Sequence, residues 1–104
     1  MKKCPFQLTY AVCPNGDDKQ HAADKARQRI SAIEDWRVVV NLEATLVGSL
    51  EIASMTSQEK RHEAESYVYR KIKDALQESE LFYDVRVWAS LMVDGLGEPI
   101  QINL

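Results

Sequence analysis

Between Trp36 and Ala53 the chain keeps one two-residue rhythm without a slip. Every even position from 38 to 52 is apolar or small: Val38, Val40, Leu42, Ala44, Leu46, Gly48, Leu50 and Ile52. The odd positions carry Arg37, Asn41, Glu43, Thr45, Ser49 and Glu51, together with Val39 and Val47. Side chains alternate between the two faces of a strand, so this rhythm marks extended chain covered on one face only. A sheet with one covered and one open face is mainly antiparallel and carries its helices on a single side. One strand of this length would far exceed the usual five or six residues, so a hairpin is the preferred reading. A two-residue loop sets residue i opposite i+3 and reverses the phase, whereas a three-residue loop or bulge preserves it. The turn is therefore expected near Glu43–Thr45 or at Val47-Gly48-Ser49, with one long bent strand as the other alternative.

The same period appears near the start, where "CPFQLTYAVCP" places Phe6, Leu8, Tyr10 and Val12 against Gln7, Thr9 and Ala11. Proline after each cysteine fits the two ends of a strand, because proline cannot donate to the ladder. Along such a strand Cys4 and Cys13 are roughly 30 Å apart at ~3.3 Å per residue. A disulfide needs Cα atoms about 4.4–6.8 Å apart. The odd spacing also sends the two thiols to opposite faces, so the pair reads as two thiols in a reducing compartment. Zinc needs closely spaced Cys or His ligands, and the only histidines are His21 and His62. Cys13 precedes a helix start, and of the two thiolates it is the one a helix dipole would favour.

"PNGDD" (14–18) reads as a turn followed by a helix cap through Asp17 or Asp18. A first helix then runs to about Ile33, with Ala22, Ala26, Ile30 and Ile33 on one stripe. Thr56-Ser57-Gln58-Glu59 is a capping box that opens a second helix. That helix continues to about Glu78, burying Ala64, Val68, Ile72, Ala75 and Leu76 with Tyr67 beside them. Val85, Val87, Ala89, Leu91 and Val93 define the inward side of a further strand, with Arg86, Trp88, Ser90 and Met92 outward. "DGLGEP" (94–99) turns the chain into a short last strand through Ile100, Ile102 and Leu104.

The expected fold is α+β: a two-layer sandwich with a mainly antiparallel sheet and two helices on one face. The element order is the ferredoxin-like β-α-β-β-α-β plan plus a short C-terminal strand. At 104 residues the whole chain, 1–104, is read as a single domain.

A net charge of −3 argues against duplex DNA and anionic membranes as partners, since both require a basic footprint. No apolar run approaches the ~20 residues of a membrane span. The start, Met1-Lys2-Lys3, is followed by a stretch too short and polar for a signal peptide, so a cytoplasmic location is expected.

The residues offer no catalytic, cofactor-binding or metal constellation. The carboxylate pairs Asp17-Asp18, Glu34-Asp35 and Glu78/Glu80 sit at helix ends or in loops. His62-Glu63 lacks the second histidine of H-E-x-x-H, where Ser66 stands. No phosphate-binding glycine motif is present, and the loop after the first strand is anionic. An RNA-stacking sheet needs several exposed aromatic rings, and the outward face offers only Trp88.

What distinguishes the sequence is that outward face. Ala11, Val39, Val47, Trp88 and Met92 fall on the side away from the helices, an apolar set that a monomer would leave open. The expected function is a non-catalytic interaction protein, self-associating as a homo-oligomer or binding a protein partner through this face. The alternative is a dimeric α/β-barrel-like enzyme or small-ligand-binding protein, with an apolar pocket lined by Tyr10, Asn41, Tyr67 and Trp88. A third arrangement leaves Trp88 packed on its own cross-strand neighbours under Arg86.

Overall fold

The computed structural model describes residues 2–39 and 41–104. The chain runs through β1 (Lys2–Pro14), a 3₁₀ turn (Asp17–Lys19), α1 (Gln20–Ser31), β2 (Arg37–Val39) and β3 (Leu42–Ile52). It continues through α2 (Ser57–Glu78), β4 (Val85–Val93) and β5 (Ile100–Asn103). The strands form one five-stranded antiparallel sheet in the order β2-β3-β1-β4-β5. The architecture is α+β, with two helices packed on the sheet.

β1 is the centre of the sheet, with Leu8 opposite Leu46 on β3 and opposite Leu91 on β4. All three leucines are fully buried. Phe6, Tyr10 and Val12 lie on the same side, as do Val85, Val87, Ala89 and Val93 of β4 and Ile100 and Ile102 of β5. The helices cover this side: Ala23, Ala26 and Ile30 of α1 and Ala64, Val68, Ile72 and Leu76 of α2 belong to the same apolar cluster. Alanine at the sheet-facing positions of α1 lets the helix axis come close to β1.

α2 is closed at both ends by local chemistry. At the start of α2 the Thr56 hydroxyl accepts from the Glu59 N–H at 3.2 Å and donates to the Glu59 carboxylate at 2.7 Å. At its end Leu81 N–H donates to Leu76 C=O at 2.8 Å and Glu80 N–H to Gln77 C=O at 3.1 Å. This is a Schellman ending, completed by burial of both Leu76 and Leu81. Glu80 takes the left-handed position usually given to glycine, at φ 59°. The start of α1 differs from the sequence expectation: neither Asp17 nor Asp18 caps it, because both lie within the 3₁₀ turn and no side-chain capping bond forms. Ala26 and Ile30 are buried as expected, but Ala23 rather than Ala22 joins them, and α1 ends at Ser31 rather than Ile33.

The hairpin between β2 and β3 turns earlier than either expected place. Val39 is opposite Leu42, so the chain reverses between them, and Asn41 takes a left-handed φ of 66°. A two-residue loop reverses the phase, and a register shift between Val38 and Val39 reverses it again. Val38 is thus opposite Leu46 and Arg37 opposite Val47. The two reversals cancel, which is why the sequence rhythm never slips. Leu46, Leu50 and Ile52 are buried as expected, but Val38 is 44% and Leu42 54% exposed, and Ala44 is exposed as well. Those three sit toward the β2 edge, whereas α1 packs over β1, β3 and β4 and α2 reaches β3 and β5. Gly48 is half-buried, and Val40 lies outside the described residues.

Candidate functional site

The side of the sheet away from the helices is organised in cross-strand rows by the strand register. Ala11 stands opposite Trp88, and Trp88 opposite Asn103, giving an apolar pair with an amide at the edge. The next row is polar: Thr45, Thr9, Ser90 and Gln101 follow one another across β3, β1, β4 and β5. The row after it reads Arg37, Val47, Gln7 and Met92. Trp88 and Met92 are 46% and 49% exposed, and Ala11 is exposed too. Val47 and Val39 are half-buried, and Val39 lies beyond the register shift at the end of β2.

Of the five residues singled out from the sequence, Ala11, Val47, Trp88 and Met92 therefore share a side of the molecule but do not form one continuous patch, whereas Val39 is paired with Leu42 of the helix-facing set. A line of hydroxyls and an amide separates Ala11 and Trp88 from Val47 and Met92. The alternation that identified these positions gives their face. It does not give the neighbour across the strand, which depends on register.

Around Trp88 the surface is a shallow groove of about 430 Å³ that also involves Asn15, Phe82, Tyr83, Arg86 and Asn103. Phe82 and Tyr83 meet edge to face, with ring centroids 5.1 Å apart, and Tyr83 is 81% exposed. Their place is set from below: Asn15 donates from its side chain to Tyr83 C=O at 3.1 Å and from its N–H to Asp84 C=O at 2.9 Å. Lys19 and Asp84 approach to 3.4 Å. The turn after β1 is thereby tied to the start of β4. The sequence gives no sign that Phe82 and Tyr83 join Trp88, because they lie in the loop before β4 rather than on a strand. Among the described residues, cations over aromatic rings are Lys71 at Tyr67 and Lys73 at Tyr69 and Phe82. Arg86 borders the Trp88 groove and is not stacked on the indole.

A second groove of about 990 Å³ borders Met92 and runs past Lys3, Gln7, Arg37 and Asp94. Its charges are of both signs. Beneath it Gly48 is crowded: a Cβ there would lie 2.9 Å from Phe6 Cζ and 3.1 Å from Trp36 Cδ1. Phe6 and Trp36 pack edge to face at 5.4 Å. The Trp36 indole N–H is buried and, among the described residues, is the one buried side-chain polar atom with no hydrogen-bond partner.

The four residues of the pocket alternative do not converge. Tyr10 lies in a groove of about 580 Å³ between α1 and the β2 edge, with Val38, Ala44 and Arg27. Tyr67 borders the Met92 groove, Trp88 has its own, and Asn41 forms the hairpin turn. Burial raises the Tyr10 hydroxyl above its ordinary pKa, against a smaller opposing pull from Arg27. Arg27 is held in turn by Val12 C=O at 2.9 Å and Asp24 at 2.6 Å.

Glu63 is the other perturbed group. Its carboxylate accepts from the Ser54 hydroxyl at 2.5 Å, from Ser54 N–H at 3.0 Å and from Ala53 N–H at 3.0 Å. The Ser54 hydroxyl, followed by the Ala53 N–H, holds it below the ordinary carboxylate range. These bonds fasten the β3–α2 loop to the helix, which accounts for the glutamate in His62-Glu63 as a structural group. His62 and His21 are both exposed. Cys4 and Cys13 lie at opposite ends of β1, across from Leu50 and Arg86 respectively, and no bond joins them. Among the described residues no three His, Cys, Asp or Glu side chains cluster as a metal site, and no helix is long and apolar enough to cross a membrane. Against this geometry, no protein-family model, curated protein sequence or solved structure matches the chain.

Proposed function

We propose that this protein is a small non-catalytic interaction module whose helix-free sheet face is its contact surface, for a second copy of itself or for a different protein. One observation carries the reading: Trp88 and Met92 stand about half exposed on a face that no helix covers. Trp and Met are enriched where proteins meet, and Tyr83 and Phe82 extend the aromatic surface beside Trp88. The hydroxyl row between Trp88 and Met92 suits a contact in which apolar anchors flank hydrogen-bonding groups. A cytoplasmic location accompanies the reading, supported by two cysteines too far apart on one strand to pair. A ferredoxin-like plan with an added edge strand is also part of it, supported by β1 standing between β3 and β4 with β2 outside β3.

Replacing Trp88 with glutamate tests the function. The wild-type chain is expected to sediment above its 11.9 kDa or to retain a protein partner, and Trp88→Glu to lose that association while keeping its circular dichroism spectrum. Unchanged mass and unchanged partner binding in the variant would overturn the reading.

The groove beside Tyr10 favours a second reading, binding of a small apolar ligand, because Val38 and Ala44 leave apolar surface open there. Its test is a hydrophobic fluorescent probe. Enhancement lost in Val38→Asp would support the reading, and no enhancement with the wild type would exclude it.

A further inference from the structure

The edge of the sheet at β5 carries a pattern that fits a copy of itself. Val87 and Leu104 exchange both main-chain hydrogen bonds, at 3.1 and 2.9 Å. In an antiparallel ladder such pairs alternate with pairs whose main-chain groups point away. Ala89 with Ile102 and Leu91 with Ile100 are therefore the bonded pairs, and the N–H and C=O groups of Gln101 and Asn103 face the open edge. Beyond being short, as β5 is with four residues, edges that stay single carry lysine, proline or a bulge. None of these occurs within Ile100–Asn103, and no charge does either, in a chain of net charge −3 whose copies otherwise repel.

We infer that two copies pair antiparallel along β5 about a two-fold axis at Ile102, joining their sheets into one. In this register Gln101 stands opposite the second copy's Asn103, and Asn103 opposite the second copy's Gln101. Each pair exchanges two main-chain hydrogen bonds. Moving the axis to Gln101 would set Asn103 opposite the second copy's Pro99, which has no N–H to give. The side chains agree with the register. Gln101 and Asn103 both point outward, and Gln101 Nε2 already donates to Asn103 Oδ1 at 3.2 Å within one chain. Across the axis the same two amides face each other, and the row Ala11–Trp88–Asn103 continues into the second copy's Gln101. The short strand limits the number of bonds, so the dimer is concentration-dependent. The pairing stands apart from the proposal for the outer face.

Paired charges test it in sedimentation equilibrium. The wild type is expected to move from 11.9 kDa toward twice that mass as concentration rises. Gln101→Lys with Asn103→Lys places lysine opposite lysine in both pairs and is expected to remain monomeric. Gln101→Lys with Asn103→Glu places lysine opposite glutamate in both pairs and is expected to recover the dimer. Both variants keep the residues that bond to β4, and thermal melting checks that each is folded. A wild type that stays at 11.9 kDa throughout, or a dimer equally strong in the two-lysine variant, would overturn the pairing. A dimer lost in Trp88→Glu but kept in the two-lysine variant would assign self-association to the outer face instead.

Discussion

Two residues show how locally the stability of this chain is set. Glu63 accepts from the Ser54 hydroxyl and the Ser54 and Ala53 N–H groups, and these bonds are strongest when it is a carboxylate. Its folded pKa is lowered, so its contribution is fully present above the unfolded value near 4.5 and is lost as the pH falls through the lowered folded value. Melting temperature followed from neutral pH downward is expected to drop less steeply below about pH 4.5 in Glu63→Gln than in the wild type. Equal acid slopes would contradict the assignment. Gly48 is glycine for lack of space, because a Cβ would press on Phe6 and Trp36. Gly48→Ala is expected to destabilise the fold by about 1–3 kcal/mol in urea unfolding, the usual range for overpacking. From the alternation alone Gly48 reads as one more inward position, since only the register brings Phe6 opposite it.

At the scale of elements, features encoded within a few residues were legible and those set by distant neighbours were not. The capping box of α2, the Ala64, Val68, Ile72 and Leu76 positions of its buried stripe and the inward sides of β1 and β4 follow directly from spacing, whereas Ala75, expected in the stripe, is only half-buried. The β2–β3 turn does not: Asn41 supplies the left-handed position, but the compensating register shift leaves no break in the alternation. Nor does the exposure of Val38 and Leu42, because how far the helix layer reaches is not written in a strand's own pattern. The end of α2 is another case, closing in a Schellman turn with glutamate at the left-handed residue. Such a conformation costs an L-residue roughly 1–2 kcal/mol, part of which glycine returns as unfolded-state entropy. Glu80→Gly is expected to raise stability by up to about 1 kcal/mol, measured as a higher urea midpoint with unchanged slope. A fall in the midpoint would show that the glutamate side chain contributes more than the backbone loses.

For the whole molecule, one side is closed by two helices and the other is an open sheet with two large apolar side chains in separate rows. The alternation marked that face and placed Ala11, Val47, Trp88 and Met92 on it. It did not show the polar row between them or the addition of Phe82 and Tyr83 around Trp88. Those features come from pairings between segments far apart in the chain, so they become visible only once the sheet is assembled. The function proposed here depends on that face being covered in the cell. The most direct measurement places a photo-crosslinking amino acid at position 88, and separately at 92, in the cells that make this protein, with position 74 on the solvent side of α2 as control. Adducts to one recurrent protein, a second copy or a distinct chain, are expected from 88 and 92 and not from 74. Adducts from 88 and 92 no more frequent than from 74 would contradict it.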